Sequence, residues 1–171
     1  MRVLEKTLKT LADSDHYLFM ADDFYAVFPN MTIEVMRVFL GRAVKAGILE
    51  RVCRSLYLYP DADFDRSLVL YHAAARLRAN QFCYLSLESI LSESGSISQI
   101  PLGWLTLMTS GRSGIFDCGR WGSIEFIHTE KTSRQVAPQL IFDSRYRLWK
   151  ANVELALSDM RATRRSLDLL E

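Results

Sequence analysis

Apolar positions recur at helical spacing through the first part of the chain. Leu4, Leu8 and Leu11 predict a helix over residues 4–12. A second short helix fits residues 21–28, with Asp22 and Asp23 in its first turn, where the helix dipole favours negative charge. Pro29-Asn30 ends it, and Asn30 or Thr32 can cap the next element. That element, residues 32–46, has the clearest pattern. Ile33, Met36, Phe39 or Leu40, Ala43 and Val44 make one apolar stripe, while Glu34, Arg37, Gly41, Arg42 and Lys45 lie off it. Gly47 stands where a helix usually ends in a left-handed residue. Two β-prone runs follow, 48–52 and 56–59, and Cys53-Arg54-Ser55 between them predicts a hairpin turn.

The polar junction after Pro60, Asp61-Ala62-Asp63, suggests a boundary between domains 1–60 and 61–171. Beyond it, residues 65–79 read as an amphipathic helix with Leu68, Tyr71, His72, Ala75 and Leu77 toward its buried side. Residues 82–85 read as a buried strand, and Ser86 as the cap of a helix that runs to Ser94 and stops at Gly95. Residues 105–108, 115–116 and 124–128 form three β runs, with Gly111, Gly114, Gly119 and Gly122 as the turn residues of a meander. A long closing helix is expected over 145–170, carrying Leu148, Val153, Leu155, Leu157, Met160, Leu167 and Leu170. The expected class is α+β: an N-terminal winged helix-turn-helix and a C-terminal α/β domain with a small antiparallel sheet and that closing helix.

Composition narrows the class without naming a function. With 171 residues, 49% hydrophobic and 24% charged, the chain is an ordinary folded protein, and a disordered or collagen-like one is excluded. Three widely spaced cysteines do not make a secreted disulfide framework. Lys6, Lys9, Asp13 and Asp15 interrupt the N-terminal apolar residues, and no apolar run reaches the roughly 20 residues of a bilayer span, so a soluble cytoplasmic protein is expected. The net charge is only +1, so any electrostatic footprint depends on where charges sit. Residues 60–130 are acidic on balance and the two flanking segments basic. Arg37, Arg42, Lys45, Arg51 and Arg54 face only Glu34 and Glu50 within 31–59.

Helices followed by a hairpin within 60 residues is the winged helix-turn-helix order, in which one helix offers polar side chains to the major groove and the wing reaches flanking phosphates. The residues placed to do so are Thr32, Glu34, Arg37, Arg42 and Lys45 on the third helix and Arg51 and Arg54 on the wing. Glu34 has the chemistry to accept from a cytosine amino group, or to cap or solvate its helix. No catalytic residue, cofactor or metal site is assigned. His16, His72 and His128 are scattered, Cys-x-x-Cys is absent, and Thr109 to Gly114 lacks the ending of a phosphate loop. An enzyme would have to assemble its site from dispersed residues such as Glu88, Arg112 and His128.

Several segments taken together resemble the AbiEi family of antitoxins. Gly47-Ile48-Leu49-Glu50-Arg51-Val52 and Tyr57-Leu58-Tyr59-Pro60 are similar to that family's wing. Tyr84-Leu85-Ser86-Leu87-Glu88-Ser89 resembles its strand-to-helix segment, and Thr109 to Ser113 with Gly122 to Thr129 its β meander. Val153-Glu154-Leu155-Ala156-Leu157-Ser158-Asp159, followed by Arg165 and Leu167-Asp168-Leu169, resembles its closing segment. Cys53 stands where the family usually has Gly, and Val153 where it usually has Pro. The resemblance implies an antitoxin of a type IV toxin–antitoxin (abortive infection) system. Such a protein binds inverted repeats of its own promoter and counters a nucleotidyltransferase-like toxin, with or without a stable complex, through its C-terminal part. Arg112, Arg161, Arg164 and Arg165 are the cations placed to meet that partner. A stand-alone winged-helix regulator with a ligand-sensing or dimerising C-terminal domain is the alternative.

Overall fold

The structure, a computed structural model, describes residues 1–97 and 103–165. It is mixed α+β and divides into two units, 1–69 and 70–171. Asp61 to Asp63 therefore lie inside the first unit.

The first unit runs helix α1 (Arg2–Leu11), strand β1 (Leu18–Met20), a 3-10 helix (Ala21–Ala26), helix α2 (Ile33–Lys45), then β2 (Glu50–Cys53) and β3 (Leu56–Leu58). The three strands form an antiparallel sheet in the order β1-β3-β2. Strand β1 has no counterpart in the sequence reading, and the expected helix over 21–28 is a 3-10 helix of about two turns. The Met20 backbone N–H donates to Asp23, which starts that turn. Thr32 caps α2, its hydroxyl oxygen accepting from the Val35 N–H, and Gly47 ends it at φ +74. The core comprises Leu4 and Leu8 of α1, Phe24, Met36, Leu40 and Ala43 of α2, and Leu49, Tyr57 and Tyr59. Ile33, expected on the buried stripe, is 58% exposed because the stripe centres on Met36, Leu40 and Ala43. Cys53 is buried in the sheet beside a β-bulge, so the tip is Arg54-Ser55, with Ser55 at φ +65.

The second unit is built on a six-stranded sheet ordered β6-β7-β5-β4-β9-β8. Its strands are β4 (Cys83–Leu85), β5 (Trp104–Thr109), β6 (Gly114–Asp117), β7 (Ser123–His128), β8 (Leu140–Asp143) and β9 (Leu148–Ala151). A small antiparallel meander was the expectation; the sheet is larger and mixed. β7 lies between β6 and β5 and runs parallel to β5, and β9 runs parallel to β4. Gly122, at φ +114, permits the crossing, since a Cβ there would strike the backbone of Gly103. Helices α3 (Val69–Leu77), α4 (Glu88–Glu93), α5 (Ser133–Val136) and α6 (Val153–Ala162) complete the order, α3 starting at the division between units.

The expected helix over 145–170 is corrected. Arg145 lies in the turn of a β8–β9 hairpin, where Arg147 adopts φ +58 and the Asp143 carboxylate accepts from the N–H groups of Arg145 and Tyr146. Among the described residues of that span only α6 is helical, opened by Asn152, whose side chain accepts from the Leu155 N–H. Leu167 and Leu170 lie outside the described residues. Among the described residues no helix is long and apolar enough to cross a membrane.

Cys53, Cys83 and Cys118 are all buried and none is in a disulfide, and burial pushes the Cys83 thiol up to about 11. The native protein is therefore expected to react slowly with a thiol reagent at neutral pH and to titrate all three cysteines once denatured. A fast-reacting equivalent in the native state would contradict this burial.

Candidate nucleic-acid interface

Helix α2 and the β2–β3 hairpin place the predicted basic side chains in two groups. Arg37 and Lys45 of α2, with Arg51 and Arg54 of the hairpin, line one open cleft of about 790 Å³. Its walls include Ile33, Gly41 and Val44 of α2, Tyr57 of β3, and Ala21, Asp22 and Tyr25 of the 3-10 helix. On α2 the lining residues Ile33, Arg37, Gly41 and Lys45 fall at every fourth position, which puts them on one ridge. The hairpin contributes its cations through the tight turn, with Arg54 at the tip. Arg51 donates from Nε to the Cys53 carbonyl at 3.4 Å, which leans it along the strand.

Glu34 and Arg42 are not in that cleft. They line a shallower depression of about 350 Å³ with Met31, Val35, Val38 and Phe39. Glu34 folds back on the start of its helix: a hydrogen bond from its own backbone N–H, then one with Thr32, holds its carboxyl below the usual range. Its acceptor oxygens are turned to the helix cap, and Thr32 is taken up in capping. Val38, in this depression, and Gly41, in the cleft, are both exposed and are not among the predicted contacts. Their signal in the sequence is an apolar residue and a glycine on the polar side of an amphipathic helix.

In the second unit the four cations expected to meet a partner have different fates. Arg112 is exposed in the β5–β6 turn, where its carbonyl accepts from Arg78. Arg161, in the last turn of α6, and Arg164, at φ +55, are exposed. Arg165 is not a free surface cation. Its guanidinium reaches Glu88 at 2.5 Å and both Glu125 oxygens at 3.0 and 3.1 Å, tying α6 to α4 and β7. The residues considered for an enzyme site are similarly engaged: Glu88 with Arg165, and His128 through Nδ1 at 2.8 Å from the Gly111 carbonyl oxygen. His128 also donates its backbone N–H to Ser113, which makes Thr109 to Gly114 a hydrogen-bonded turn. Among the described residues no cluster of three or more His, Cys, Asp or Glu side chains is arranged to hold a metal ion.

A buried polar centre that the sequence did not reveal lies between α6 and the sheet. Asp159, fully buried, accepts from Tyr84 at 3.0 Å, from Ser86 at 2.7 Å and from Lys131 at 2.7 Å. Ser86 was expected to cap α4; its hydroxyl is spent on Asp159 instead, and Leu87 takes the capping position at φ +57. No protein-family model matches the chain, and no curated protein sequence does either.

Proposed function

We propose that residues 1–69 are a winged helix-turn-helix that binds double-stranded DNA, with α2 as the recognition helix and the β2–β3 hairpin as the wing. The observation that carries the reading is the cleft in which Arg37, Lys45, Arg51 and Arg54 converge from two elements. A helix and a wing that flank a cleft of this sign suit a phosphate strand between them, and the remaining outer side of α2 suits base edges. The order of elements and the β1-β3-β2 sheet support the same reading. The chain is read as cytoplasmic and without enzymatic activity, cofactor or metal.

The resemblance to AbiEi antitoxins extends the proposal: the DNA is the chain's own promoter, and the second unit counters a nucleotidyltransferase-like toxin encoded beside it. The segments that carry the resemblance meet in space, since Tyr84 and Ser86 bond Asp159, and Arg165 bonds Glu88. Gel retardation of the duplex immediately upstream of the reading frame tests the first half. Binding should weaken steeply with salt, as counterions return to the phosphates. Growth rescue upon expression of the adjacent toxin tests the second half. A full-length chain with Arg37, Lys45, Arg51 and Arg54 changed to Ala should lose retardation yet still rescue. Rescue that disappears together with DNA binding would place antitoxicity elsewhere than in the second unit.

A further inference from the structure

Helix α2 turns Met36, Leu40 and Ala43 inward, which leaves Glu34, Val38, Gly41, Arg42 and Lys45 facing out. Two features of that outer side have no explanation within the first unit. Val38 is 56% exposed in the middle of it, between Glu34 one turn before and Arg42 one turn after. A branched apolar side chain there gains little burial and slightly weakens the helix. Gly41, at the next turn, would meet no neighbour within 4 Å if it carried a Cβ, and it has no positive φ. Neither packing nor backbone conformation requires a glycine, although glycine weakens a helix interior. The two positions are neighbours three residues apart on the outer side of α2, with Gly41 bordering the cleft of Arg37 and Lys45 and Val38 bordering the depression of Arg42. Glu34 does not obstruct them, because its carboxylate is drawn to the helix cap.

We propose that Val38 is a specificity-determining residue that packs against the 5-methyl group of a thymine in the major groove, and that Gly41 lets the base edge approach α2 closely. The inference rests on the DNA-binding reading and adds the base that is read. The surrounding cations supply the complementary charge for a duplex, while the two features supply what discriminates one sequence from another. Thymine offers an apolar group in the major groove that no other unmodified base pair has.

The test uses the full chain and the duplex immediately upstream of its reading frame, amplified once with dTTP and once with dUTP. Uracil pairs as thymine does and lacks only the methyl group. The wild-type chain should bind the dU duplex about fourfold more weakly for each methyl that Val38 covers. Val38→Ala, at an exposed helical position and so without loss of stability, should bind the dT duplex more weakly and lose the difference between the two duplexes. Gly41→Ala should raise the thermal midpoint, as a better helix former, and still weaken binding. Equal, salt-sensitive binding of both duplexes by the wild type would overturn the thymine assignment and leave the DNA-binding reading standing. Dimerisation of the free protein that Val38→Ala abolishes would overturn it too, assigning the exposed Val38 to a second copy. Failure to retard either duplex at low salt would overturn the DNA-binding reading and this inference with it.

Discussion

Replacing Arg37, Lys45, Arg51 and Arg54 together by Ala is expected to reduce affinity for the upstream duplex by at least about a hundredfold at moderate salt. The four side chains line one cleft, so on the DNA-binding reading they would neutralise neighbouring phosphates as a group. Each lost phosphate contact should flatten the dependence of log K on log salt by roughly 0.9, or between 3 and 4 for the set, by order of magnitude. Arg42→Ala serves as the internal contrast. Arg42 lies outside the cleft and reaches bases on this reading, so its loss should cost about 1–3 kcal/mol, relax sequence preference and hardly move the slope. Asp22 lines the same cleft, and Asp22→Asn should shift binding in the opposite direction. The Arg51 side chain makes one long hydrogen bond, to the Cys53 carbonyl, so its loss should cost the fold little. A fourfold variant whose salt slope equals that of the wild type would remove the cleft from the interface.

The elements best read from the sequence are those whose ends carry a local signal. α2 has Thr32 at its start and Gly47 past its end, and the hairpin has a polar turn between two apolar runs, so both stand close to their expected bounds. β1 escaped because three residues are too few to show an alternation, and its partner β3 lies far along the chain. The long closing helix failed for a different reason. Leu148 fits the helical spacing of Val153, Leu155 and Met160, but it belongs to a strand, and Asn152 between them is the cap that separates the two elements. Asn152 was the available signal. Strand order was not legible at all: alternation and glycine turns identify β5, β6 and β7, yet nothing in their composition says that β7 inserts between the other two. Among site residues, the cations were legible through the helical period, whereas their separation into two depressions depends on the hairpin's placement against α2. Arg165 looked like a surface charge because both of its carboxylate partners, Glu88 and Glu125, are at least forty residues away in the chain.

Asp159→Ala should destabilise the second unit by about 3 kcal/mol. Asp159 is the acceptor for two hydroxyls on strand β4 and just beyond it, and for the ammonium of Lys131. Tyr84 and Ser86 are themselves fully buried, so the Ala variant takes the carboxylate acceptor from two buried hydroxyls, of which Tyr84 keeps only its hydrogen bond with Thr129. Burial next to this carboxylate already drives the Tyr84 hydroxyl pKa upward, which keeps it a donor throughout the physiological range. Lys131 is 31% exposed and can turn to solvent, so the penalty comes mainly from the hydroxyls and from the space the side chain vacates. Asp159→Asn keeps the volume but sets an amide N–H₂ among donors, and should fall between Ala and wild type. The measurement is selective, because Trp104, Trp121 and Trp149 all belong to the second unit. Tryptophan fluorescence in a denaturant titration therefore follows that unit and not the first. A midpoint displaced to lower denaturant at unchanged slope is the expected result. If the Ala variant unfolds at the wild-type midpoint, Asp159 does not secure α6 to the sheet, and the meeting of the two resemblance-bearing segments loses its energetic meaning.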